Sequence, residues 1–188
     1  MAMNVFDAVR ARRSVKSFTD RPLPEGAVES LLELVVLAPN HRMTEPWRFI
    51  VLGPEARRTY GGLKGESRAR RVDDPEAAQA VLRKTVEKMS ALPSMVAFVQ
   101  VLDDDPEIRE EDFATIYMGM QNFLLGAVAM GLGTHVKTGA ILDEPATREA
   151  LEVEEGERIL ALVQLGEPAE VPNEKPRTTA TERTRKLL

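Results

Sequence analysis

The segment from Pro106 to Met130 constrains this chain more than any other. Phe113, Ile116, Tyr117, Met120, Phe123, Leu124, Ala127 and Val128 recur at i, i+3, i+4 and i+7, which predicts one long helix. Met118, Leu125 and Met130 carry apolar character round its back. A helix apolar on most of its circumference must be central to the fold or lie against a second subunit. Its longest apolar stretch, "FLLGAVAMGLG", is about half the ~20 residues that a membrane span requires.

Shorter elements surround it. "NVFDAVRARR" opens on Asn4, a good N-cap, and places Val5, Ala8 and Val9 on one helical face. "SVKSF" alternates polar and apolar and reads as extended. "PLPEGAVESLLELVVLAP" predicts a helix with Pro24 in its first turn and Pro39 at its end. "WRFIVLG", "SMVAFVQVL" and "RILALVQLGEP" are candidates for buried strands. "GLGTHVKTGAI" supplies a short strand or turn, while "DPEAAQAVLRKTVEKMSAL" and "DEPATREALEV" predict capped helices. The basic, glycine-containing segment 55–72 has no clear assignment. Together these predict an α+β or α/β three-layer domain around one sheet of roughly four or five strands. The chain has 188 residues, enough for a single domain over 1–188 that buries roughly 70% of its unfolded surface. From Glu167 onward, "EPAEVPNEKPRTTATERTRKLL" has no periodic apolar face, so 167–188 is either disordered or an arm that docks elsewhere.

Composition removes several functions. A formal charge of −5 offers no net positive field for nucleic acid. The absence of cysteine excludes disulfides, thiolate nucleophiles and thiolate metal sites. Two isolated histidines without an H-E-x-x-H motif do not make a zinc site, and no G-x-S-x-G elbow appears. "MAMNVFDAVRARRS" reaches charge too soon for a signal peptide, so a soluble cytoplasmic protein is expected.

Five groups of residues carry possible chemistry. In an extended "RRSVK", Arg12, Ser14 and Lys16 point to one side beside Arg13, a grip suited to phosphate. Equally, Arg12 and Arg13 could only complement the first helix's C-terminal dipole. In "APNHRMTEPWRF", Pro39 and Pro46 confine His41, Arg42, Thr44 and Glu45 to a loop, functional or merely connecting, with Trp47 anchoring the next strand. Lys137 and Thr138 follow a glycine-rich turn where a ligand edge could be met. Lys175 and Arg177 in the tail are ligand cations or solvating charges, and Arg57, Arg58, Lys64, Arg68, Arg70 and Arg71 form a solvated basic face or a docking surface.

The order of these pieces resembles the FMN-dependent nitroreductase family. "RRSVKSF" is similar to that family's R-R-S-x-R/K-x-F, and "APNHRMTEPWRF" to its A-P-x-x-x-x-x-x-P-W-x-F loop. "GAVAMGLGTHVKTGAI" and "LVQLGEPAE…NEKPRT" are similar to its later turn, last strand and C-terminal arm. The likeness is greatest to short, minimal members with His in the A-P-x-H loop.

The resemblance implies a nitroreductase-like fold, with a central mixed, mainly antiparallel sheet flanked by helices. It implies a homodimer with FMN in clefts at the subunit interface, and a 167–188 arm that docks on the partner subunit. Carried over by position, Arg12, Arg13 and Ser14 would hold the phosphate and ribityl end, and Lys16 would sit near the pyrimidine edge and support the reduced ring. His41 would approach from the other subunit, Lys137 and Thr138 would contact the flavin, and Lys175 and Arg177 would close on the phosphate. No protein nucleophile or metal is called for, because the flavin performs the chemistry. The implied activity is ping-pong hydride transfer from NADH or NADPH to a small nitroaromatic, quinone or similar acceptor. Dehalogenation, dehydrogenation, flavin fragmentation or flavin binding without turnover are the alternatives. Many relatives carry Gln before the Pro-Trp pair where this chain has Glu45.

Overall fold

A computed structural model describes residues 3–187. Its sheet contains β1 (Trp47–Val51), β2 (Ser94–Val101), β3 (Gly133–Lys137) and β4 (Glu157–Gly166), in the order β1-β2-β4-β3. All three strand pairings are antiparallel. The mainly antiparallel sheet expected from the resemblance is present, and among the described residues its parallel component is limited to the isolated bridge Ser14–Thr134.

The connections explain this. β1 and β2 are joined by two helices of equal length, α3 (Pro54–Ala69) and α4 (Pro75–Ser90). Such a hairpin gives no net translation, so the following strand runs back beside the first. β2 and β3 are joined by one long helix, α5 (Pro106–Ala129), which returns the chain to its starting end. These two strands consequently run the same way, but β4 lies between them.

The remaining helices are α1 (Val5–Ala11), α2 (Ala27–Val35) and α6 (Pro145–Ala150). Local chemistry starts most of them. Asn4, Asp74 and Asp105 accept backbone N–H bonds at the starts of α1, α4 and α5, and proline opens α3, α4, α5 and α6. α2 starts at Ala27 rather than Pro24, because Gly26 takes φ 69° as its cap. The unassigned segment 55–72 is largely α3; its Gly61 and Gly65 are buried against Met89 and Leu82 of α4.

Two cores follow from the alternation of side chains along the strands. On one face, Val96, Phe98, Ala161 and Val163 pack under Leu31 and Val35 of α2 and Ile116, Met120 and Phe123 of α5. On the other, Met95, Ala97, Val99 and Leu162 pack under Tyr60 of α3 and Met89 of α4. A register shift between Phe98 and Val99 makes Leu160 the extra residue of β4. Leu160 and Ala161 therefore join the same core. The three layers expected from the sequence are present, with α5 central. The face assigned to α1 is not: Ala8 is buried, but Val5, Phe6 and Val9 are 62%, 70% and 53% exposed. Among the described residues no helix is long and apolar enough to cross a membrane.

Packing of α2 on α5 depends on Gly119. A Cβ there would lie 2.6 Å from Val35 Cγ1 and 2.7 Å from the Val35 carbonyl oxygen, so backbone would have to move. Gly119→Ala should destabilise the domain by about 1–3 kcal/mol, read from urea unfolding, despite alanine's better helix propensity.

Candidate active site

After α1 the chain runs extended beside the sheet edge. Val15 N–H donates to the Thr134 carbonyl at 2.9 Å. Gly133 makes this approach possible, since a Cβ there would sit 2.7 Å from Val15 Cγ2. Val15 is buried while Ser14 and Lys16 are exposed, as strand alternation demands. Further along, Thr19 N–H donates to the Glu167 carbonyl (2.9 Å) and Ala169 N–H to the Ser17 carbonyl (3.0 Å). The Glu167 carboxylate accepts from Thr19 Oγ1 at 2.6 Å and Arg21 Nη1 at 2.9 Å. The tail is thereby stitched to the N-terminal segment of its own chain.

This stitching makes a cleft of about 540 Å³. Arg12, Arg13, Ser14 and Lys16 line one side, and Pro172, Asn173, Glu174, Lys175 and Arg177 the other, with Val9 and Arg10 at the end of α1. Six cationic side chains thus face a single carboxylate, Glu174, in a chain whose formal charge is −5. Glu174 Oε2 lies 3.4 Å from Arg13 Nη2. Lys175 and Arg177, which the tail's composition alone left as possible solvating charges, stand opposite Arg12–Lys16.

His41 and Thr138 are exposed and lie outside this cleft, as does the half-buried Lys137. His41 sits on the turn between α2 and β1, where Arg42, Met43 and Glu45 adopt φ of 57°, 52° and 48°. Left-handed backbone costs roughly 1–2 kcal/mol at a non-glycine residue, and the residue before a proline is disfavoured in helical conformations as well. A polar network anchored on buried Asp112 holds the turn. Asn40 Oδ1 accepts from Glu45 N–H at 2.8 Å, Asn40 Nδ2 donates to Thr44 Oγ1 at 2.9 Å, and Thr44 Oγ1 donates to buried Asp112 of α5. Glu45 is placed by its backbone, and its side chain is exposed.

At the end of β3, Lys137 Nζ and His135 Nε2 are 3.3 Å apart. Burial first, then the charges of Lys137, Lys16, Lys88 and Lys64, holds the His135 pKa down at about 4. Burial, followed by Lys64, Lys88, Lys16 and Arg68, lowers Lys137 to about 8. Lys64 is itself lowered by burial, Arg68 and Lys88. Two residues of the basic segment read as a solvated face, Lys64 and Arg68, therefore bear on β3. Sequence reasoning also passed over His135, Glu174 and Asp112. His135 shares a strand face with Lys137 at i, i+2, Glu174 stands inside the quoted "NEKPR", and Asp112 is an acid at the edge of an apolar helical run.

A model of the family described as "Nitroreductase family" matches residues 9–167. The chain belongs to the nitroreductase family. A Bacillus subtilis protein named "Putative NAD(P)H nitroreductase YfhC" is 31% identical over 182 residues, covering 94% of this chain and 91% of that one. The crystal structure of a nitroreductase-like family protein from Bacillus cereus superposes with a TM-score of 0.85 at 25% identity, over 100% of this chain and 97% of that one. A nitroreductase with bound FMN from Bacteroides fragilis shares the fold, with a TM-score of 0.73 at 19% identity over 99% and 100% of the two chains. The family match covers the N-terminal half of the cleft and both flanking turns, while the tail cations lie beyond residue 167.

In this nitroreductase the strained turn gives a direct expectation. Asp112→Ala should lower stability by about 1 kcal/mol, because it strips Thr44 and Asn40 of a shared acceptor. Hydrogen exchange should speed up over 40–46 first. Glu45→Gly should instead raise stability, by up to about 1 kcal/mol, by relieving the left-handed backbone.

Proposed function

We propose that this chain is a cytoplasmic, FMN-dependent NAD(P)H oxidoreductase. It works by ping-pong hydride transfer from NADH or NADPH to a small electron-poor acceptor such as a nitroaromatic or a quinone. The observation that carries this reading is the meeting of Arg12, Arg13, Ser14 and Lys16 with Lys175 and Arg177, from opposite ends of the chain, in one cleft.

The residues fit the group. A phosphate dianion needs several cations, and arginine forks match its oxygens. The cleft's volume of about 540 Å³ lies within the usual range for small-molecule and cofactor sites. When bound, FMN supplies the two-electron hydride chemistry, and the protein supplies binding, orientation and electrostatics. In this reading Arg12, Arg13, Lys175 and Arg177 hold the phosphate, and the Ser14 hydroxyl takes the ribityl end. Lys16, which projects from the same side as Ser14, brings positive charge to the pyrimidine edge. The exposed turn at Lys137 and Thr138 borders the ring.

The second half of the site comes from a second copy in this reading. His41 is exposed on a turn held by hydrogen bonds to Asn40 and Asp112, which suits it to reach into a neighbour's cleft. A homodimer also accounts for the exposed apolar residues Phe6 and Val9 on α1, Leu37 after α2, and Phe113 and Met118 on α5. Val171 of the 167–188 arm, 59% exposed, adds apolar surface for docking on the partner.

Purified protein incubated with FMN should turn yellow, bleach anaerobically on adding NADH or NADPH, and regain colour with a nitroaromatic or quinone. A protein that takes up no FMN sinks the reading. Arg12→Ala and Arg177→Ala should each weaken FMN by ~10–100-fold and riboflavin far less. Equal losses for the two ligands would refute the phosphate assignment. Glu174→Gln should act oppositely and tighten FMN but not riboflavin, because it frees Arg13 and removes the carboxylate from the cleft.

A further inference from the structure

The two walls of the cleft are held to different degrees. The N-terminal wall is fixed, because Val15 is bonded to the Thr134 carbonyl and is itself 3% exposed. Arg13 is fixed with it. Its Nη1 donates to the carbonyl oxygens of Arg10 and Arg12 and so closes the C-terminal end of α1. Its Nη2 is turned to the opposite wall, where it meets Glu174 Oε2 at 3.4 Å.

That opposite wall is scarcely held. Ala169 N–H to the Ser17 carbonyl is the last backbone hydrogen bond between tail and body. From Glu170 onward, among the described residues, no side chain is buried, and Arg13–Glu174 is the one hydrogen bond or ion pair to the rest of the chain. Pro172 and Pro176 stiffen the stretch between, since each fixes its own φ and restricts the residue before it. The result is a short strap, anchored at Ala169, that carries Glu174, Lys175 and Arg177 together. The Glu174 side chain is 78% exposed and that of Arg13 only 21%, so Glu174 is the partner that moves when their contact breaks. A solvated pair of this kind contributes less than about 1 kcal/mol. Charge-assisted bonds from guanidinium to phosphate are stronger, and phosphate wins Arg13.

We propose that Glu174 is a tethered placeholder. It holds Arg13 while the cleft is empty, gives the guanidinium up to an incoming phosphate group, and thereby frees the strap 170–178 to close Lys175 and Arg177 over that group. The proposal rests on the FMN reading above and adds to it a means of release. Because the carboxylate stays attached to the strap, it competes for Arg13 whenever the phosphate loosens, and so speeds departure of the ligand.

The chain has no cysteine, so Thr178→Cys carries a single spin label at the exposed outer end of the strap. On the full chain, FMN or inorganic phosphate should immobilise the label, and riboflavin, which lacks the phosphate, should not. Adding Glu174→Gln should make the label more mobile in the empty protein and leave the FMN-bound spectrum unchanged. Without the label, Glu174→Gln should slow FMN release by about 2–5-fold, the range set by losing a solvated ion pair. Glu170→Gln, at an exposed tail position outside the cleft lining, should not slow it. Four results each overturn the placeholder while leaving flavin binding intact: a label equally mobile with and without bound FMN, immobilisation by riboflavin equal to that by FMN, an empty-protein spectrum unchanged by Glu174→Gln, or equal effects of Glu170→Gln and Glu174→Gln on release. A wild type that binds no FMN overturns both readings.

Discussion

Three backbone hydrogen bonds set the geometry on which the candidate site depends: Val15 to Thr134, Thr19 to Glu167, and Ala169 to Ser17. They lay residues 14–19 along the start of β3 and the exit of β4, and the N-terminal segment meets the C-terminal tail there. Each bond contributes only about 1 kcal/mol net, so the seam also needs apolar anchors. Val15, 3% exposed, packs onto Gly133, and Phe18 packs onto Gly166. The seam works against electrostatics, since it gathers six cations around a single carboxylate. Glu174 on Arg13 and Glu167 on Arg21 offset part of that repulsion, but both contacts are solvated and weak. On the proposed reading a dianion in the cleft would supply the missing negative charge, and ligand binding and docking of the tail would be one coupled equilibrium.

The three layers distribute character unevenly. The α2–α5 side is apolar through its thickness and leaves apolar side chains exposed on α1 and α5. The α3–α4 side is apolar under Tyr60 and Met89 but basic toward β3, where Lys64, Arg68 and Lys88 converge. With a formal charge of −5 overall, the positive field is local to the cleft and the basic side of β3. Such a field attracts small anions without making the whole surface sticky to nucleic acid.

What the sequence made legible follows from how local each signal is. The long helix, the helix starts at Asn4 and Asp74-Pro75, and the apolar runs of β2 and β4 are short-range effects, and the elements follow them closely. Segment 55–72 was opaque because its glycines look like loop residues until α4 is present to pack against them. The sheet's antiparallel pairing depends on whether one helix or two joins the strands, a topological fact that no window of sequence contains. At the site, the spacing within "RRSVK" gave a one-sided grip, but only the fold brings Lys175 and Arg177 opposite it. His135 escaped notice because its environment is made by lysines 47 to 119 residues away in sequence, at positions 88, 64 and 16.

The departures from ideal structure are informative because of where they fall. The central strands are almost wholly buried and their one irregularity, the register shift at Phe98–Val99, lies in the core. Three non-glycine left-handed residues occur together on the turn that carries His41. The cations without carboxylate partners and the orphaned Gln164 acceptor lie around the cleft and the end of β3. Strain of order 1–3 kcal/mol per residue persists only where surrounding contacts over-determine it, and the Asn40–Thr44–Asp112 network does so here. Unlike backbone strain, the crowding of cations is relieved by a ligand. An anion entering the cleft removes repulsion among Arg12, Arg13, Lys16, Lys175 and Arg177 and adds attraction to each of them. On the proposed reading, the repulsion among these cations would thus become part of the cleft's affinity for an anion.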